Sequence, residues 1–200
     1  MQETQQTTTA LTWMQPDRNG MPPSPRNGHT ADVIDSRIFI FGGGDKAELL
    51  ADLHVFDVSE STWSRPACTG VAPPPRSRHC SAVIDRSLYI WGGIGGGVDV
   101  HVLDTTAMDW ESEDVAGAVP ESRFGHTCVA VDVASAPRLI VLGGHNSRQA
   151  LSDVHVLDVG GGGGEDDEEA RQARWEKPTV LGEAPICGNR HAAVLLDDHS

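Results

Sequence analysis

The 200-residue sequence predicts an all-β fold built from repeated four-stranded units, and three observations carry that prediction. Trp13, Trp63, Trp110 and Trp175 are each followed sixteen residues later by a histidine: His29, His79, His126 and His191. Glycine (22) and proline (12) are abundant while apolar residues make up 38% of the chain, a balance that favours short elements and tight turns over long helices. Apolar runs ending in a double glycine recur at a steady distance from those histidines. Thirteen residues separate His29 from Gly42 and His79 from Gly92; seventeen separate His126 from Gly143, where "VASAPR" lengthens the connection. A spacing held through successive copies marks internal repeats, and repeats decide the fold before any single element does.

Each unit supplies its strands in the same order. The first strand follows the histidine, as in "HTADVID". The second is "RIFIFGG", where Ile38 and Ile40 alternate with Phe39 and Phe41, so both faces are apolar and both must be covered. The double glycines that end it, Gly42 and Gly43, Gly92 and Gly93, Gly143 and Gly144, supply turn angles that other residues reach at a cost. The third strand is "DLHVFD" (52–57), repeated as "DVHVLD" at 99–104 and 153–158. The fourth is the short segment around each tryptophan. Units of about fifty residues, each covered by a neighbour on either side, stack around an axis as a β-propeller in which every repeat is one blade.

The double glycine after an apolar strand, the Asp-bounded third strand and the spaced tryptophan together resemble the Kelch repeats of the galactose oxidase-like propeller superfamily, over residues 12 to 197. The boundaries expected on that basis are a tail at 1–11 and a repeat region at 12–200. Its units lie at about 25–64, 75–111, 122–176 and, in part, 187–200, with an acidic Gly-rich insertion at 160–174. The resemblance implies a ring of five to seven blades, so three complete units and partial ones at both ends make an incomplete ring. Its open edges are expected to self-associate. Two features depart from the pattern: His54, His101 and His155 stand where an aromatic is usual, and Gly188 stands where Arg26, Arg76 and Arg123 stand in the other repeats.

Composition narrows the function. A net charge of -14, from 29 acidic and 15 basic residues, disfavours a nucleic-acid partner. Cys68, Cys80, Cys128 and Cys187 form no CxxC pair and the first ten residues lack a secretory pattern, so a reduced, cytoplasmic protein is expected. No apolar run approaches the ~20 residues of a membrane span.

No catalytic, metal or cofactor residues are expected. Histidines at equivalent positions of successive blades diverge from the axis rather than converge on one ion. "GGIGGG" (92–97) is followed by a strand, not by the helix a phosphate loop needs, and Asp57, Asp104 and Asp158 belong to separate blades where each caps a turn. Cys80 and Cys128 are expected to fill first strands. Partners are expected to be proteins or peptides that dock on loops opposite the two insertions, and Asp45, Lys46, Arg76, Arg78, His145, Asn146, Arg148 and Gln149 are the candidate contacts. Arg76 is equally readable as a framework residue. The function expected is a protein-interaction scaffold or adaptor. The alternatives are a non-haem metal-dependent Kelch enzyme with its site in blades beyond this chain, and an acidic platform in which residues 160–174 recruit basic peptides.

Overall fold

The computed structural model describes residues 19–113, 115–133, 136–160, 172–182 and 191–195, and among them the chain is all β, with no helix. The expected strand around Trp13 and most of the fourth unit lie outside those residues.

Three sheets follow one another along the chain. The first contains β1 (Asn19–Gly20), β2 (Thr30–Ile34), β3 (Arg37–Phe41), β4 (Leu53–Asp57) and β5 (Thr62–Ser64), in the spatial order β1-β5-β4-β3-β2. The second repeats that order with β6 (Thr69–Gly70), β7 (Cys80–Ile84), β8 (Ser87–Trp91), β9 (Val100–Asp104) and β10 (Asp109–Glu113). The third does so with β11 (Ala116–Gly117), β12 (Thr127–Val133), β13 (Ala136–His145), β14 (Ala150–Asp158) and β15 (Arg174–Glu176). β2, β7 and β12 pack against one another across the sheets, which places the first strand of every blade nearest the common axis.

Each blade therefore has a strand more than the four expected. Four strands form an antiparallel meander, and a two-residue strand adds to the outer edge in parallel. On leaving the outermost strand of one blade the chain crosses to the next and first pairs with that blade's outer edge, as β6 does with β10. An otherwise open row of backbone groups is thereby closed. The approach is too tight for a side chain. Gly20, Gly70 and Gly117 have φ of 81°, 75° and 100°, and a Cβ on them would lie 1.9, 2.0 and 2.3 Å from the carbonyl oxygens of Trp63, Trp110 and Trp175. A glycine seven residues after each tryptophan, including Gly182 after Trp175, is the sequence signature of this strand.

The core is two layers between blades. Ile34, Phe39, Phe41, Leu53 and Val55 of the first blade meet Leu88, Ile90, Leu103 and Trp110 of the second. Cys80, Ala82, Trp91 and Val100 of the second meet Leu139, Val141, Leu157 and Trp175 of the third. The tryptophans close each layer at its outer end: Trp110 lies 5.4 Å from the Phe41 ring and Trp175 lies 5.3 Å from Trp91. This arrangement explains the two-sided apolar second strand, since one residue set faces the preceding blade and the other the following one.

Candidate functional site

The loops are held by a repeated framework built on arginine. Arg123 is fully buried; its Nη1 donates to the Gly143 carbonyl (3.1 Å), and its guanidinium grips Asp153 at both carboxylate oxygens (2.5 and 3.1 Å). Arg26 repeats this with Gly42 (3.0 Å) and Asp52 (2.5 and 3.0 Å). The Asp side chains extend the network to the third-strand histidines, with His54 Nε2 2.9 Å from Asp52 and His155 Nε2 3.1 Å from Asp153. These histidines thus bond a carboxylate instead of packing as an aromatic would. Burial pushes the Asp153 carboxyl up, but the Arg123 bonds outweigh it and hold the group down at about 2.

The second blade breaks the rule. Arg76 donates from Nη1 to Gly92 (3.2 Å) and from Nε to Pro74 (3.2 Å), while Asp99 is exposed and makes no ion pair with it. Arg76 is fully buried, which corrects its inclusion among the candidate contacts: it is framework. The arginine carbonyls also tie blades together. Gly43 N donates to Arg76 O (2.8 Å) and Gly93 N to Arg123 O (2.9 Å), with His79 and His126 pressed against Gly42 and Gly92, so the first two double glycines are each clamped between two blades.

At one end of the blades lie the 42–52 and 92–99 connections and the hairpin tip Asn146–Gln149. Asp45 Oδ1 accepts from Ala47 N (2.7 Å) and Glu48 N (3.0 Å), a turn that holds its carboxyl below the usual range and presents Lys46 to solvent. Asn146 closes the third blade's hairpin likewise, accepting from Arg148 N (3.0 Å) and Gln149 N (2.9 Å). Asp45, Lys46 and Arg78 line a recess between the first two blades with Asn27, Ser77 and Ile94. Arg148 and Gln149 are exposed on the third blade, outside that recess.

Two residues join the halves. The Arg78 guanidinium lies 6.0 Å from the centre of the Phe124 ring, and that ring lies 5.5 Å from His145. Phe124 carries no repeat signature and sequence reading missed it. Arg78 is unusual in its backbone as well. Its φ is 56°, and the equivalent residues before the repeat histidine are Gly28 (φ 65°) in the first blade and Gly125 (φ 63°) in the third, while the fourth repeat carries Arg190. Its main chain is fixed on both sides, with N donating to Gly28 O (2.7 Å) and O accepting from Gly125 N (2.9 Å). A left-handed residue bearing a Cβ costs roughly 1–2 kcal/mol, so this backbone is strained where its neighbours are not. The sequence signal was available, since "NGH", "SRH", "FGH" and "NRH" alternate glycine with arginine.

Nearer the axis the repeat histidines link blades: His79 Nε2 lies 3.2 Å from Thr30 Oγ1, and His191 Nε2 lies 3.3 Å from Thr127 Oγ1. Ser81 Oγ donates to Asp32 (2.6 Å) between the first and second blades. Burial pushes the Asp32 carboxyl up to about 6, against the pull of the Ser81 bond. A folded-state pKa above the ordinary 3.8 means that the native state holds the proton more tightly, so stability falls as pH rises from about 4 through 6. Asp32→Asn keeps the acceptor and removes the charge. It is expected to stabilise the protein at pH 7.5 by about 1–2 kcal/mol, allowing for partial exposure, and to gain little at pH 4. Urea unfolding at the two pH values measures this, and equal effects at both would contradict it.

Among the described residues, no group of three His, Cys, Asp or Glu side chains is arranged to hold a metal ion, and no helix is long and apolar enough to cross a membrane. Asp57, Asp104 and Asp158 cap turns, accepting from Glu60 N, from Thr106 N and Ala107 N, and from Gly160 N. Most of the acidic insertion, Trp13, Cys187 and Gly188 lie outside the described residues.

Comparison with known proteins agrees with this architecture. The chain is 53% identical over 36 residues to the Rab9 effector protein with kelch motifs of Gallus gallus, and 44% identical over 54 residues to that of Rattus norvegicus. Those matches cover 18% and 25% of this chain, and 10% and 14% of the relatives. It is 47% identical over 49 residues to acyl-CoA-binding domain-containing protein 5 of Arabidopsis thaliana, covering 24% of this chain and 8% of that protein. The chain thus spans only a small part of each relative's length. The model of the KLHDC2/KLHL20/DRC7 Kelch-repeats domain matches residues 4–159 and 79–200, and with the blades, double glycines and inter-blade histidines in place, the chain belongs to the Kelch-repeat family.

Proposed function

We propose that the chain is a protein-interaction module that takes a partner segment at the 42–52, 92–99 and 146–149 end of its blades, with Arg78 as the charged anchor. The observation that carries this is the backbone of Arg78. The first and third blades place glycine at this position, whereas the second holds an arginine there in a left-handed conformation, and strain of this kind persists where the side chain has a use. The guanidinium is half-buried over Phe124, on the wall of a recess that also holds Asn27, Lys46, Glu48 and Asp45, the last fixed by its turn. A carboxylate-bearing segment suits that site, because arginine binds carboxylates in two-pronged fashion and the aromatic face below keeps the fork in place. The Kelch family and relatives named as Rab9 effectors support a protein partner, while the adaptor role and the face used are the finer parts of this reading.

The test separates strain from use. Arg78→Gly is expected to raise stability by about 1 kcal/mol, because glycine adopts the backbone freely, and at the same time to lose partners that the wild-type chain captures by cross-linking. Lys46→Ala is expected to weaken capture without changing stability. Unchanged capture by Arg78→Gly would overturn the reading, and lower stability would overturn its physical basis.

A further inference from the structure

Cys80 and Cys128 were expected to fill separate first strands; the structure brings them together. Cys80 opens β7 and Cys128 lies in β12, the innermost strands of adjacent blades. The Cys128 thiol donates to the Ser81 carbonyl at 3.1 Å, one residue from Cys80, and Cys128 packs against the core layer to which Cys80 belongs. Cys80 occupies the position that Thr30 and Thr127 hold in the neighbouring repeats. Thr30 bonds His79 and Thr127 bonds His191, whereas both ring nitrogens of His126, the histidine at the matching position, are buried without a hydrogen-bond partner. Both cysteines are unpaired.

We propose that Cys80 and Cys128 are a redox pair that hydrogen peroxide converts to a disulfide joining the second and third blades. Loss of the Cys80 proton leaves a thiolate. Burial opposes that charge, but the neighbouring Cys128 thiol and the field of His126 favour it and pull the Cys80 thiol below its ordinary range, while Cys128 is raised. Asp32, beyond Ser81, works against the thiolate. The Cys80 sulfur attacks one peroxide oxygen, the O–O bond breaks, and hydroxide leaves as water with the proton that Cys80 released. The sulfenic acid so formed is attacked by the Cys128 sulfur, the S–O bond breaks, and a second water departs with the Cys128 proton. In sum the two thiols lose two electrons and two protons, and one peroxide becomes two waters.

The pair lies across the layer formed by Cys80, Ala82, Trp91 and Val100 against Leu139, Val141, Leu157 and Trp175, so the bond would pin together the elements that the core already presses together. It would also close a chain loop that is free to open in the unfolded state.

The experiment is peroxide treatment of the reduced 200-residue chain, followed by alkylation and peptide mass spectrometry without reductant. The expected result is a linked pair of peptides containing Cys80 and Cys128 as the dominant cross-link, an intact mass lower by two hydrogens, and an upward Tm shift that dithiothreitol reverses. In Cys128→Ser the link is lost and dimedone labels Cys80, which reports the sulfenic acid directly. In Cys80→Ser neither the link nor labelling at position 128 is expected. Full alkylation of both cysteines after peroxide, or cross-linking mainly through Cys68 or Cys187, would overturn the proposal. So would labelling of Cys128 in preference to Cys80.

Discussion

Arg123→Met is expected to destabilise the protein by about 3–5 kcal/mol, the cost of leaving a partly buried carboxylate without its partner. The substitution keeps most of the aliphatic volume but removes every bond that Arg123 gives to Asp153 and to the Gly143 and Glu121 carbonyls. The second blade provides the internal control. Arg76 is equally buried, yet its repeat-equivalent acid, Asp99, is exposed and unpaired with it. Asp153→Asn should therefore weaken the fold, whereas Asp99→Asn should change stability by less than about 0.5 kcal/mol, as surface substitutions do. The pH dependence has a defined sign. Asp153 is depressed below its ordinary 3.8 to about 2, so its contribution is complete above pH 4 and is lost as pH falls towards 2. Arg123→Met should flatten that part of the stability curve. Chemical unfolding from pH 7 down to pH 2 would show it, and equal costs for the two Asp substitutions would refute the asymmetry.

Much of this framework was legible in the sequence because it is periodic. The Trp-to-His spacing, the double glycines and the two-sided second strands each follow from one blade needing a neighbour on either face. The strand that seals the outer edge was missed, although a glycine stands seven residues after each tryptophan; two-residue strands have no apolar periodicity, and their cause is a carbonyl about 2 Å from a missing Cβ. The site was less legible. Arg76 and Arg78 are two residues apart in "PRSRHC", yet one is a fully buried strut and the other stands over Phe124 at the recess. Only the comparison with Gly28 and Gly125 separates them, through backbone angle rather than residue type. The Asp99 departure has no sequence mark: "DVH" at 99–101 and 153–155 is identical. The difference lies in the connection before it, where Gly96 packs so near Arg76 that an added Cβ would lie 3.0 Å from its Nη1.

Residues 1–200 produced alone are expected to associate head to tail, because the first and third blades carry complementary faces. On the first blade Ile38, Ile40, Phe56 and Trp63 are the counterparts of Leu88, Ile90, Leu103 and Trp110, the set that receives the preceding blade inside the molecule. Here they are only half-buried, and Val33 beside them is 64% exposed. On the third blade Ile140, Leu142, Val154 and Val156 are the counterparts of Phe39, Phe41, Leu53 and Val55, the set that is inserted, and they too are half-buried. A face that accepts and a face that inserts, on opposite ends of one chain, make a heterologous contact, which closes a ring if the rotation fits and otherwise extends. At roughly 1.5–3 kcal/mol for each large apolar side chain fully covered, four residues on either side supply enough to hold copies together against the entropy of association. Light scattering on the purified chain should therefore report a mass of two copies or more, and Ile40→Lys, which places a charge in the accepting face without touching either inter-blade core, should return it to one. A monomer that melts cooperatively at micromolar concentration would show that the end faces are satisfied within a single chain.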